Sequence, residues 1–216
     1  GYVFFQCLFL KADGRMTLLT RAPDARVARY TSNIEDIRIW VDRVEANPAA
    51  ELREILREQG CSGKRLGVEW DAYGLTAHNG RMLTAALEGF CRLEDASLLV
   101  TRQRVVKRPE EIVYVRKAAL LADRALDQAL ALARPGVFEG DILAALQGSI
   151  FRDDGDYPGN EFIIVSGPAA HLGRYFAGRR HVAAGEQLTL EFPGVLRHYH
   201  PCLVRVITVG QSFVAE

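Results

Sequence analysis

The chain has 216 residues, of which 49% are apolar and 25% charged, enough for one large or two modest globular domains and too hydrophobic for a disordered chain. Its 27 basic and 27 acidic residues cancel, which leaves no overall positive field to gather phosphates, so nucleic acid is not an expected partner. No apolar run reaches the roughly 18 to 20 residues of a membrane helix, so no membrane association is expected.

The first segment, "YVFFQCLFL", lacks a basic leader and a small-residue cleavage site and reads as a buried strand. It is separated from "MTLLT" by "KADGR", whose Asp-Gly pair signals a hairpin. "AAELREILREQG" has apolar residues at helical spacing and stops on Gly60. "RLGVEW" is strand-like, "NGRMLTAALEGF" a second helix, and "ASLLV" a further strand. These elements predict an α/β domain over residues 1–105.

Beyond residue 105 the pattern changes. "RPEEIVYVRKAALLADRALDQALALARPG" begins with Pro109 at a first helical turn followed by two glutamates. Its apolar positions Ile112, Val115, Ala119, Leu120 and Leu126 lie on one broad face, which predicts a long helix, and Pro135-Gly136 predicts its stop. "FEGDILAALQGSIFR" reads as a second helix and "DDGDYPGN" as a loop. "EFIIVSG", "QLTLEF" and "LRHYHPCLVRVITV" are three strand-like runs divided by Gly and Pro. The chain opens on Gly1 inside a strand pattern and stops at "VGQSFVAE" with no evident terminating element, so it is expected to be a fragment.

The four cysteines, Cys7, Cys61, Cys91 and Cys202, are scattered with no Cys-x-x-Cys pair. That argues for a reduced, cytoplasmic compartment rather than a disulfide framework or a zinc ribbon. In "QLTLEF" the alternation of a strand places Leu188, Leu190 and Phe192 on one side, with Thr189 and Glu191 on the other. Alternation alone makes Glu191 an ordinary solvent-facing residue.

His198 and His200 would share a strand face and could hold a metal, but catalytic zinc uses about three protein ligands, and a lone pair is thin. Cys202 is a possible soft ligand, although small buried cysteines are commoner. Arg174, Arg179, Arg180 and His181 form a basic cluster in "GRYFAGRRH". A guanidinium there could grip a carboxylate with paired hydrogen bonds; Arg174, beside Tyr175 and Phe176, suits that role better than Arg179 and Arg180, which read as solvated loop. Ser166 in "VSGPAAH" has no base placed beside it, so a serine nucleophile is not expected.

Together, "KRPEEIVYVRKAALLADRAL", "PGVFEGDI", "IVSGPAA", "GEQLTLEFPG" and "YHPCLVRV" resemble the creatinase/prolidase family, whose catalytic domain has the pita-bread fold. The resemblance implies a creatinase-type N-terminal domain over 1–105, its beginning missing, and over 106–216 the first part of an α+β pita-bread catalytic domain. Family metallopeptidases, including Xaa-Pro aminopeptidases and prolidases, bridge two metal ions with aspartates eleven residues apart on adjacent strands. Glu191 and Cys202 stand at those positions, and the other family ligands would fall beyond Glu216. Arg174 stands where the family has a substrate-contacting histidine; Arg205-Val206 replaces Arg-Thr, and Pro193 replaces a glycine or alanine.

Replacing a hard oxygen donor by a thiol disfavours hard divalent ions, so no metal and no cofactor are expected. The same fold includes creatinase and ectoine hydrolase, which act without metal on guanidinium or amidine carbons, and the Glu191 motif is closer to ectoine hydrolase. The resemblance therefore implies a metal-independent hydrolase of a cyclic amidine such as ectoine. Glu191 would be nucleophile or base, Arg174 the clamp on the substrate acid group, and Tyr175, His200 and Arg205 orienting residues. A small-molecule substrate and a homodimer are implied as well. Two other readings stay open: a metal-dependent Xaa-Pro peptidase using His198, His200 and Glu191, and a non-catalytic truncated relative.

Overall fold

The computed structural model of the chain describes residues 4–172 and 179–210. It divides into two compact units, Gly1–Val106 and Lys107–Glu216.

The first unit opens with the expected hairpin. Strands β1 (Cys7–Leu10) and β2 (Met16–Arg21) pair antiparallel, from Cys7 opposite Leu19 to Leu10 opposite Met16. Gly14, at φ 88°, takes the left-handed backbone of the turn that a side chain would resist. Two elements without a clear sequence signal follow. Helix α1 (Ala22–Thr31) buries only Ala25, and strand β3 (Asp36–Trp40) returns parallel to β2, making a β-α-β crossover.

Helix α2 (Pro48–Glu58) begins where the Asn47 side chain accepts the Ala50 N–H at 3.1 Å, and it buries Leu52, Ile55 and Leu56. Strand β4 (Arg65–Val68), helix α3 (Ala77–Leu87) and strand β5 (Arg92–Asp95) complete a second crossover, with β4 and β5 parallel. The core gathers Phe5, Phe9, Leu19, Trp40, Leu56, Leu87 and Phe90, and the Trp40 indole N–H donates to the Phe5 carbonyl at 3.0 Å.

"ASLLV" is not a strand. The strand is the charged "RLED" of β5, which ends when the Asp95 side chain accepts the Ser97 N–H at 2.8 Å and turns the chain. Leu98 then adopts φ 66°, and Leu99–Val105 form helix α4. Local turn chemistry outweighed a short apolar run.

In the second unit helices α5 (Pro109–Leu132) and α6 (Glu139–Arg152) lie on one face of an antiparallel sheet of order β6-β7-β8, where β6 is Ile163–Ser166, β7 Gln187–Pro193 and β8 Cys202–Thr208. The start of α5 is fixed by Pro109 and by Glu111, whose carboxylate accepts the Arg108 N–H at 2.8 Å. Leu188, Leu190 and Phe192 of β7 are fully buried, meeting Ile142, Leu146 and Ile150 of α6.

Of the expected face of α5, Ile112, Val115, Ala119 and Leu126 are half-buried, with Leu126 packed on the core, and only Leu120 is exposed; the fully buried stripe beside it is Ala118, Leu121, Ala122, Ala125 and Ala129. The cause is a close approach. A Cβ at Gly194, just past β7, would collide with the Ala118 carbonyl and the Ala122 N–H, so this face of α5 is built from small residues. Among the described residues no helix is long and apolar enough to cross a membrane.

Candidate active site

Since antiparallel partners share a sheet face, the register lays out what surrounds Glu191. Glu191 pairs with Ile163 of β6 and Val204 of β8, while Pro193 pairs with Cys202. Glu191 and Cys202 therefore sit diagonally on the face turned away from the helices, and both are exposed. The carboxylate stands among aliphatic neighbours, with Val204 and Val206 each about half exposed on the same face. Partial desolvation by its strand neighbours, and secondarily the Glu191 charge, pushes the Cys202 thiol above its ordinary pKa.

The His-x-His pair does not lie on a strand. Leu196 and Tyr199 exchange backbone hydrogen bonds of 3.2 and 3.0 Å, and Arg197 and His198 between them have φ of 50° and 67°. This is a tight two-residue hairpin turn, and β8 starts only at Cys202. Strand alternation cannot be carried through such a turn.

His200 is engaged at both ring nitrogens. Its Nε2 accepts the Gly159 N–H at 3.0 Å, and its Nδ1 lies 2.6 Å from the His198 carbonyl, an arrangement satisfied by the tautomer protonated on Nδ1. Asp156 accepts the Arg197 N–H, and Tyr199 donates its hydroxyl to Glu111 at 2.8 Å. The hairpin is thus pinned to the loop after α6 and to the start of α5. His200 shapes the turn that joins the two site strands.

Arg205, expected to orient substrate, pairs with Leu190 and so lies on the opposite sheet face from Glu191. Arg174 and Tyr175 lie outside the described residues. Arg180 is no solvated loop residue: its guanidinium donates to the Ser166 carbonyl at 2.7 Å, the Ser166 hydroxyl at 3.1 Å and Glu186 at 2.9 Å. Glu186 is held below the usual carboxylate range by the Ala183 N–H and by Arg180. Ser166 is fully buried in this network, which agrees with its exclusion as a nucleophile.

Glu139 was not singled out in the sequence. It is fully buried at the first turn of α6, and its Oε2 accepts the backbone N–H groups of Arg179 and Arg180 at 3.0 and 3.2 Å. The available signal was an acidic residue opening a helix, which fits a helix dipole and says nothing of burial.

Among the described residues the site face offers few metal donors. The carboxylate and thiol on the site face are one hard and one soft donor. His198 sits in the turn, His200 is spent on Gly159, and among the described residues no three His, Cys, Asp or Glu groups converge as ligands. The substitute set His198, His200 and Glu191 is not assembled.

Comparison with known proteins matches residues 1–106 to the Creatinase/Prolidase N-terminal domain and residues 113–216 to Metallopeptidase family M24. An uncharacterized hydrolase/peptidase of Sinorhizobium fredii is 27% identical over 205 residues, 88% of this chain and 51% of the relative. The ectoine hydrolase of Halomonas elongata is 25% identical over 231 residues, 98% of this chain and 57% of that protein. Among solved structures, an X-Pro aminopeptidase from Thermotoga maritima superposes with a TM-score of 0.80 at 19% identity, over 96% of this chain and 55% of that one. A prolidase from Pyrococcus furiosus gives 0.74 at 19% identity, over 94% and 58%. The chain spans about half the length of the curated relatives it matches. Its fold is that of a creatinase-type N-terminal domain followed by part of a pita-bread domain, the chain matching just over half of each solved structure.

Proposed function

The chain belongs to the creatinase/prolidase family, and from that premise we propose that it carries the Glu191 site of a hydrolase that opens a carbon–nitrogen bond of a cyclic amidine such as ectoine without a metal. One observation carries the reading: among the described residues a single carboxylate, Glu191, stands exposed on this sheet face, with the Cys202 thiol, a soft donor, diagonal to it.

A peptide carbonyl is a weak electrophile and gains from Lewis-acid polarisation. An amidinium carbon already carries positive charge, which a dication would repel and a carboxylate attracts. Glu191 then acts as general base. It takes a proton from a water whose oxygen bonds to the amidine carbon, and returns that proton to the departing nitrogen as the carbon–nitrogen bond breaks. The aliphatic flank of Ile163 and Val204 lowers the local polarity and strengthens the pairing between carboxylate and cation. Arg174 is proposed to hold the substrate acid group, with Tyr175 beside it. The turn pinned by His200 keeps β7 and β8 in register.

Substrate competition tests this reading. Ectoine should be hydrolysed in the presence of a chelator while an Xaa-Pro dipeptide is untouched. Cleavage of the dipeptide with added manganese, and none of ectoine, would move the chain to the peptidase class.

A further inference from the structure

Thr189 shares the site face with Glu191, two residues away on the same strand, and is only half-buried. Its hydroxyl donates to the Ala170 carbonyl at 2.6 Å, a side-chain bond spanning 19 residues. Ala170 is buried at the end of the short 3-10 turn Gly167–Ala169, and its own N–H bonds back to the Gly167 carbonyl at 2.9 Å.

The start of that turn is held independently. Arg180 grips the Ser166 carbonyl, and Gly167, at φ 59°, lies so close to Arg180 and Glu186 that a Cβ there would overlap both. The turn is therefore fastened at its entry by the Arg180–Glu186 pair and at its exit by Thr189. Only the exit fastening lies on the Glu191 face. The neighbouring residues on β7, Leu188 and Leu190, point into the core and cannot perform it.

We infer that Thr189 is a positioning residue, whose hydroxyl fixes the main chain at Ala170 as one wall of the Glu191 site and so sets the width available to the substrate. This rests on the Glu191 reading above. A wall meets the substrate equally in the ground and transition states, so loosening it should weaken binding and leave the chemical step nearly unchanged. Valine has the shape of threonine without the donor, which leaves the buried Ala170 carbonyl without that hydrogen bond. Serine keeps the donor.

The test uses the full chain and compares Thr189→Val, Thr189→Ser and Glu191→Gln with the parent. Amide exchange at Ala170 and Leu172 should accelerate at least about tenfold in Thr189→Val and return towards the parent rate in Thr189→Ser. With ectoine as substrate, KM should rise at least about fivefold in Thr189→Val with kcat within about twofold of the parent, again restored by serine. Unchanged exchange, an unchanged KM, or a fall confined to kcat would each overturn the inference. The underlying reading fails separately, when the parent turns over no ectoine or Glu191→Gln retains activity. In the first of those cases the inference falls with it, and the exchange rates still decide whether the tether exists.

Discussion

Glu191→Gln is expected to lower kcat/KM for a cyclic amidine at least about a thousandfold, a loss of about 4 kcal/mol of transition-state stabilisation, while leaving thermal unfolding close to that of the parent. The amide keeps the size of the side chain and removes both the charge that attracts the cation and the basic oxygen that takes the proton. Stability should be spared because Glu191 is exposed and its side chain lies outside the core. Steady-state kinetics alongside a thermal melt separates the two effects. Retained turnover would remove Glu191 from the mechanism.

The adjacent residue should behave in the opposite way. Phe192→Ala is expected to cost about 3–5 kcal/mol of stability, because Phe192 is fully buried and its ring packs 5.7 Å from that of Phe162. The helices of the second unit close over this position, and a truncated side chain leaves a void that the sheet cannot collapse to fill. Calorimetric or denaturant unfolding would measure the loss. A change under about 1 kcal/mol would mean that the sheet and the helices are less tightly packed than the full burial of Phe192 implies. One step along β7 thus separates the residue proposed to carry chemistry, on one sheet face, from one that carries the fold on the other.

The separation of faces was legible in the sequence, since strict alternation in "QLTLEF" assigns Glu191 and Phe192 to opposite sides of the strand. The long helix was equally plain, because Pro109 and the two glutamates after it satisfy several start rules together. Its buried face was harder to read. Hydrophobicity placed Leu126 correctly against the core but also favoured Leu120, which is exposed, whereas the close approach at Gly194 selects small residues at Ala118 and Ala122, and backbone proximity between distant segments leaves no local trace.

The site was legible only in part. Glu191 and Cys202 share a face, as the family resemblance implied, because β7 and β8 pair in a simple register. His198 and His200 were read as strand neighbours because nothing in "LRHYHP" announces left-handed backbone at Arg197 and His198; such turns usually use Gly, Asn or Asp. Counting residues through that hidden turn from His198 gives no dependable face for the residues beyond it. The bonds from Thr189 to Ala170 and from Glu139 to Arg179 and Arg180 span 19 to 41 positions, beyond the reach of local periodicity.

The central claim is that one carboxylate, acting on a substrate that arrives charged, replaces the paired ions of the metallopeptidases. Its most direct test is turnover of ectoine by the purified full chain after exhaustive chelation, with the metal content of the same sample determined by elemental analysis. The rate should be undiminished with metal far below one ion per chain. Activity lost on chelation and restored by stoichiometric manganese, cobalt or zinc would contradict it.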